Sequence, residues 1–214
     1  TFSKSLLKEK LEGKLVISIK QTHDVLNELT DIHLLNFCNL TKYNYSNPNT
    51  IVGWAVWDNH QPHVIIENFP VDFILDTFKL NDGTPNIKNT IAKTGEWEWL
   101  DINKSFSRPW GPGTMYELAI PLALYMGCSK IVTLGWDLFK NTLNDPNKKD
   151  SDWCYNELQF KQTKTIGSTE ELQMVRDSTK GLYEYLNSRN VELNIIDPDG
   201  DNPAYHKIKR LKTL

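Results

Sequence analysis

The chain has 214 residues and a formal net charge of −3 at pH 7, so it offers no general positive field to nucleic acid or to anionic membranes. No run approaches the roughly 18 apolar residues of a transmembrane helix, and the length fits one α/β domain over residues 1–214. The three cysteines stand far apart without a Cys-x-x-Cys pair, which indicates reduced thiols and a cytoplasmic location.

Strand and helix signals alternate from the start of the chain. An amphipathic helix is predicted over Thr1–Glu12, ended by Gly13, and the start at Thr rather than Met makes this helix a candidate fragment boundary. A short helix is predicted at Asp24–Leu29 and a loop at 41–50. Apolar strands, which suit a parallel sheet covered on both faces, are predicted at Leu15–Ile19, His33–Phe37, Ile51–Trp57 and His63–Glu67.

Residues 81–112 are the least regular stretch and contain three tryptophans, Trp97, Trp99 and Trp110. Aromatic faces suit the C–H patches of sugars, so Trp110, in its Gly- and Pro-rich surroundings, is a candidate acceptor-binding residue. For Trp97 and Trp99 the alternative is core packing, because alternating residues of a strand point to the same face.

The second half of the chain carries a helix, a glycine stop and a buried strand in succession. The helix is predicted at Thr114–Met126, and Gly127 should supply a left-handed C-cap before a strand that ends near Asp137. A capping box at Ser168 then begins a long helix to about Asn187. We expect one central, largely parallel sheet with helices on both faces, comprising Leu15–Ile19, His33–Phe37, Ile51–Trp57, Ile131–Gly135 and Val191–Ile196.

Two short motifs have some of the residues of a metal site. The turn 197–201 has the Asp-x-Asp-x-Asp spacing of a calcium loop, but its glycine is misplaced and no Glu stands at the twelfth position, so a calcium site is the weaker alternative there. His60 and His63 flank a proline and are not a helical ligand pair. We therefore predict no metal and no bound cofactor.

Three patches of the sequence follow the order of motifs in a known group of enzymes. The strand Lys14–Ile19 precedes a polar loop and a second strand ending Cys38-Asn39, and the next strand ends at Asp58-Asn59. The helix after Gly113-Thr114 then leads to Lys130–Asp137. This order resembles that of bacterial CMP-sialic-acid-dependent sialyltransferases, and equally the superfamily that includes motility accessory factors and archaeal hydroxymethylpterin diphosphokinases. The resemblance implies a single Rossmann-like domain.

The resemblance also gives roles to residues at the ends of the predicted strands. Asn39 and Asn59 carry amides suited to ribose and base contacts, and the N–H groups at Gly113 and Thr114 suit a phosphate at a helix start. For Asn39 a strand-ending turn is the alternative, and for Asp137 a cap of the adjacent loop. The nucleotide-binding candidates are Gln21, Thr22, Asn39, Asn59, Gly113, Thr114 and Asp137.

Three positions depart from the sialyltransferase pattern. Residues 163–168 contain no histidine where that family has its general base, and Phe139 stands where it has a phosphate-stabilising tyrosine. The glycine-rich first loop is replaced by Lys20–Asp24, whose side chains would crowd a phosphate. His23 in this loop is the candidate substitute base, with a loop histidine of no function as the alternative. Glu117 is the second catalytic candidate, with an ion pair to a nearby cation as its alternative role.

The sequence leads to three hypotheses of function. The first is a glycosyltransferase that uses a nucleotide-sugar donor, with a CMP-sugar favoured, and a glycan or other hydroxyl acceptor, without a metal. The second is a binding module of the same fold that holds a nucleotide or a glycan without turnover. The third is a pterin pyrophosphokinase, whose reaction would need magnesium, so a divalent-metal titration separates it from the first. Neither nucleic acid nor a membrane is an expected partner.

Overall fold

Helices and strands of the computed structural model follow one another in α/β order. The structure describes residues 4–20, 22–36, 43–56, 71–78, 108–109, 119–135, 169–198, 200 and 205–214. Its helices are α1 (Lys4–Leu11), α2 (Thr22–Leu26), α3 (Ile120–Tyr125) and α4 (Thr169–Ser188), with a 3₁₀ turn at Asn27–Leu29. Its strands are β1 (Ile17–Ile19), β2 (Ile32–Asn36), β3 (Ile51–Val56), β4 (Phe73–Phe78), β5 (Arg108–Pro109), β6 (Lys130–Thr133), β7 (Glu192–Ile196) and β8 (Lys209–Leu211). Within these ranges, no helix combines the length and apolar character that crossing a membrane requires.

All strand pairs in the described ranges are parallel, which confirms the α/β class. Strands β1 to β5 pair in sequence order in one sheet, and β6 to β8 pair in a second sheet. We predicted Ile131–Gly135 and Val191–Ile196 in the same sheet as the first three strands. The described residues instead pair these two segments with each other, as β6 and β7.

The first sheet is covered on both faces, as predicted. On one face, Ile32 and Leu34 of β2 pack against Leu122 of α3 and against Ala119, the residue before α3. Because successive strand residues point to opposite faces, the residues that alternate with Ile32 and Leu34 form a second layer on the other face of the sheet. In that layer Val16 packs with Leu7 of α1 and Leu26 of α2. Leu35 and Val52 pack with Tyr43 and Tyr45 of the segment 43–50.

Two aspartates hold the amino-terminal ends of the strands. Asp31, directly before β2, accepts a hydrogen bond from the Val16 N–H at 2.7 Å. Asp72, directly before β4, accepts one from the Val52 N–H at 2.6 Å. Each aspartate therefore ties the start of its own strand to the neighbouring strand and fixes the register in which the two pair.

The turn between α3 and β6 has the predicted glycine cap. Gly127 lies in the left-handed region at φ 80°. Its N–H donates to the Leu124 carbonyl at 2.9 Å, and the Cys128 N–H donates to the Ala123 carbonyl at 3.0 Å. This pair of bonds is a Schellman motif, which satisfies carbonyls that the helix end leaves open. Of the helix predicted at Thr114–Met126, residues 114–118 lie outside the described part of the chain.

Three strands, β4, β5 and β8, were not predicted from the sequence. Strand β4 contains Asp76 and Thr77, which interrupt its apolar run. Strand β8 is a Lys-Arg-Leu segment without an apolar pattern, and it pairs only with β7 among the described strands. Charged residues of this kind are common on edge strands, where they discourage pairing with other chains. The strand predicted at His63–Glu67 lies outside the described residues.

Gly53 leaves room for an aromatic ring in the first sheet. It pairs with Leu34 on one side and Phe73 on the other. A Cβ at this position would lie 2.6 Å from Phe73 Cε2 and 2.9 Å from Leu34 Cδ2, well inside normal contact distances. We expect Gly53→Ala to lower the free energy of unfolding by about 1–3 kcal/mol in urea denaturation, the usual cost of overpacking. Replacing the ring with a smaller side chain, Phe73→Leu, should recover part of that loss in the Gly53→Ala/Phe73→Leu double variant. If the losses of the two single variants simply add, the proposed clash between the added methyl group and the Phe73 ring is wrong.

Candidate functional site

A tight turn leaves the carboxyl end of β1 and enters α2. Lys20 occupies the turn at φ 49°, a left-handed conformation that is uncommon for a residue with a side chain. Its N–H donates to the Leu34 carbonyl of β2 at 2.9 Å, and its carbonyl accepts a hydrogen bond from the His23 N–H at 3.1 Å. The turn is therefore bonded both to the neighbouring strand and to the first residues of α2.

A cluster of aromatic side chains lies beneath this turn, and we call His23, His33, Tyr43 and Tyr45 the histidine cluster. Both histidine side chains are 0% exposed. Their rings stack with centroids 4.2 Å apart and planes 15° apart. The Tyr43 ring meets the His33 ring edge-on at 4.6 Å, and the Tyr45 ring lies 4.7 Å from that of His23. The cluster joins α2, β2 and the segment 43–50.

Both ring nitrogens of His33 have partners. Nε2 lies 2.8 Å from the Lys20 carbonyl oxygen, and Nδ1 lies 2.8 Å from the Tyr45 hydroxyl. A carbonyl can only accept, so Nε2 carries the hydrogen, and in a neutral ring Nδ1 accepts from the tyrosine O–H. A continuous chain of hydrogen bonds thus runs from Tyr45 through His33 to the Lys20 carbonyl.

Burial keeps the cluster uncharged. It lowers the pKa of His33 to about 3, with repulsion from a charged His23 as a second cause and the Lys20 carbonyl opposing the shift. Burial also lowers the pKa of His23, against the effects of the Asn44 backbone and the Asp24 carboxylate. The pKa of Tyr45 is raised by burial and then by the charges of Asp24 and Asp72. Both imidazoles are therefore neutral near pH 7, and the Tyr45 hydroxyl keeps its proton.

His23 is bonded less completely than His33. Its Nδ1 has a long contact of 3.5 Å with the Ser18 hydroxyl. Its Nε2 is buried and makes no hydrogen bond that meets geometric criteria with the described residues, although the backbone of Asn44 favours the charged ring and so opposes the lowering of its pKa. A neutral imidazole with an unpaired nitrogen has the chemistry of a proton acceptor.

Two of the predicted site residues lie at this turn. Thr22 begins α2 and is half-buried, and His23 follows it, in a helix rather than in the predicted loop. The structure therefore brings His23 to the carboxyl end of β1, where the sequence placed it, but beneath the surface. The remaining candidates lie outside the described residues: Gln21, Asn39, Asn59, Trp110, Gly113, Thr114, Glu117 and Asp137.

Sequence reasoning missed His33 and Tyr45. The available signal was a histidine inside the otherwise apolar run Ile32–Leu35, followed by a loop with two tyrosines. A polar side chain at a buried strand position needs a hydrogen-bond partner, and a nearby tyrosine is a suitable one.

No group of three or more His, Cys, Asp or Glu side chains within the described ranges is placed to hold a metal ion. In the acidic turn after β7, the Asp197 carboxylate is 2% exposed and is engaged by protein groups. It accepts from the Gly200 N–H at 3.0 Å, and its other oxygen lies 3.4 Å from Arg210 Nε. Asp199 and Asp201 lie outside the described residues.

Comparison with known proteins gives no further assignment. No protein-family model matches the chain, and neither does any curated protein or solved structure. Function therefore has to be inferred from the described geometry together with the sequence motifs.

Proposed function

We propose that this chain binds a nucleotide-sugar donor, of the CMP-sugar type, at the carboxyl edge of the first sheet and transfers the sugar to a hydroxyl acceptor without a metal. The observation that carries the proposal is the pairing of β1 and β2, which run parallel in register, so that the β1–α2 turn and the end of β2 lie at one edge. Ligands of open parallel sheets bind at that edge.

The proposal includes one Rossmann-like domain that contains both sheets. Helix α3 packs on β2 of the first sheet and leads through the Gly127 cap into β6 of the second. Leu214, shortly after β8, packs near Val16, which precedes β1. The strand order runs from β1 to β5 in one sheet and from β6 to β8 in the other. In a single domain, one series of strands would lead away from β1 and the other away from β6, and such an arrangement fits a topological switch point between β1 and β6.

The proposed division of roles follows the sequence motifs. Asn39 and Asn59 would contact the base and ribose, and the N–H groups of Gly113 and Thr114 would face the phosphate. Gln21, Thr22 and Asp137 would complete the nucleotide site, with Trp110 against the acceptor. His23 would remove the acceptor proton, and Glu117 is the second candidate for acid–base work. A neutral His23 suits a base, because only the neutral imidazole can accept a proton.

Binding without turnover is the second candidate function. The specific observation in its favour is that His23, the candidate base, is 0% exposed and stacked against His33. A buried ring cannot reach an acceptor hydroxyl unless the segment that covers it moves. The absence of a histidine from residues 163–168 and the presence of Phe139 point the same way.

Thermal denaturation with added nucleotides tests the shared part of both functions. A nucleotide at 100 times its dissociation constant stabilises a protein by about 2.7 kcal/mol, which raises the melting temperature of a chain of this size by roughly 5–10 °C. We expect CMP and CMP-sugars to exceed UMP, GMP and ATP, with EDTA making no difference. A chain that no cytidine nucleotide stabilises would contradict the proposal. Release of CMP from a CMP-sugar in the presence of acceptor then separates transfer from binding alone.

A further inference from the structure

Main-chain hydrogen bonds stabilise the β1–α2 turn, and one side chain, that of His33, adds a further hydrogen bond. The Lys20 carbonyl accepts two hydrogen bonds, from the His23 N–H within the turn and from His33 Nε2 on the next strand. Lys20 itself is left-handed, a conformation that Cβ disfavours in an unsupported turn. The bond from His33 is therefore a support from outside the turn for an unfavourable backbone conformation.

His33 is in turn oriented by the segment 43–50. Tyr45 donates its O–H to His33 Nδ1, which leaves Nε2–H directed at Lys20. The segment that carries Tyr45 is bonded to the 3₁₀ turn after α2. The Asn27 side chain donates to the Asn44 carbonyl at 2.7 Å and accepts from the Ser46 N–H at 3.0 Å. The tyrosine is thus presented by a braced segment.

The carbonyl that His33 holds lies next to the predicted phosphate-side residues. Gln21 and Thr22 directly follow Lys20 in the chain. Because a peptide group is planar, the hydrogen bonds to the Lys20 carbonyl constrain the peptide group through which the chain enters that segment. A glycine-rich phosphate loop reaches such a conformation through glycine alone. This chain has no glycine in residues 14–52, and a left-handed lysine needs another support.

We propose that His33 is a positioning residue for the ligand: its Nε2–H, oriented by Tyr45, holds the β1–α2 turn in the conformation that receives the phosphate side of the nucleotide. This inference rests on the proposed function for the identity of the ligand. The hold on the turn itself follows from the hydrogen bonds of the described residues.

Two amide variants of His33 distinguish a positioning role from a role in core packing alone. A glutamine at position 33 can place its amide nitrogen near the site of Nε2, whereas an asparagine places its nitrogen near Nδ1 and cannot reach Lys20. Both His33→Gln and His33→Asn lose the ring and its stack on His23. We expect CMP affinity, measured by calorimetry, to fall by about 10-fold or more in His33→Asn and to stay within about threefold in His33→Gln, as expected for loss of one buried hydrogen bond.

Asp31→Ala is the matched control, because it removes a hydrogen bond at the opposite, amino-terminal edge of the same strands. It should lose stability without a change in CMP affinity. Equal loss of affinity in the glutamine and asparagine variants, at equal stability, would overturn the positioning role.

A ligand-free readout keeps this inference distinct from the proposed function. Nitrogen NMR of the His33 ring should show the Nε2–H form, and amide hydrogen exchange at His23 should accelerate in His33→Asn but not in His33→Gln. If the natural chain binds no CMP but the NMR and exchange results are as expected, the proposed function is wrong, and the role of His33 in stabilising the turn is still supported. If exchange at His23 is the same in both variants, the inference fails whether or not CMP binds.

Discussion

If the chain is the transferase proposed above, His23→Ala should transfer sugar roughly 100- to 10,000-fold more slowly than the natural chain, since that is the usual contribution of a positioned general base, while its nucleotide affinity stays within about threefold. Burial lowers the pKa of His23, which leaves the ring neutral and able to accept a proton. Its Nε2 makes no hydrogen bond that meets geometric criteria with the described residues. The measurements are the turnover number with a CMP-sugar and the dissociation constant of CMP.

Two controls make the His23 result interpretable. Removing a buried ring leaves a cavity, so His23→Ala should also lose about 2–4 kcal/mol of stability, and the assays belong at a temperature where denaturation curves show it folded. His206→Ala removes an exposed histidine near β8 and should leave transfer unchanged. Full transfer by His23→Ala would eliminate His23 as the base. Parallel loss of transfer and of CMP binding in a folded protein would assign it a structural role instead.

Acidification is expected to destabilise the chain by about 2 kcal/mol between pH 7 and pH 5, through His33 alone. The folded-state pKa of His33 is about 3, against an ordinary value of 6.5. Between these values the unfolded chain binds more protons, so the free energy of unfolding falls as the pH drops below about 6.5. The loss is about 4 kcal/mol at pH 3 and approaches about 5 kcal/mol below that pH, because each pKa unit corresponds to about 1.36 kcal/mol.

Neighbouring groups modify this pH profile in known directions. His23 adds to the acid destabilisation, because its pKa is also lowered in the folded chain. Asp24 opposes it, because burial raises the pKa of its carboxyl and its stabilising effect is lost as the pH rises.

His33→Gln is the test of the assignment. It removes the titrating ring, so its free energy of unfolding in urea should be lower at pH 7 but depend less on pH between 7 and 4. Parallel profiles for the variant and the natural chain would show that His33 is not the group responsible.

Local patterns in the sequence predicted most of the described strands. Apolar runs placed β1, β2, β3, β6 and β7 within two residues of their observed bounds, and Gly127 marked the end of α3. The grouping of strands into sheets was not predictable in the same way. Pairing of β6 with β7 joins segments about 60 residues apart, and no local pattern specifies the partner of a parallel strand.

The candidate site was predictable only in part. The position of Thr22 and His23 after β1 followed from the chain order. The contact of His33 with Tyr45 and Lys20 did not, because it depends on which face of β2 is covered and on the path by which the segment 43–50 returns over that face. Burial, rather than residue type, then decides that both histidines are neutral.

The hydrogen bonds that Asp31 and Asp72 accept from the neighbouring strands affect how such a chain can diverge in evolution. They lock strand register at the amino-terminal edge, so insertions and substitutions in loops at the opposite edge leave the pairing intact. Selection can then alter what the carboxyl edge recognises without rebuilding the sheet. Descendants with new specificities should retain an acidic residue immediately before β2 and β4, while the loops that follow β1, β2 and β3 vary in length and composition.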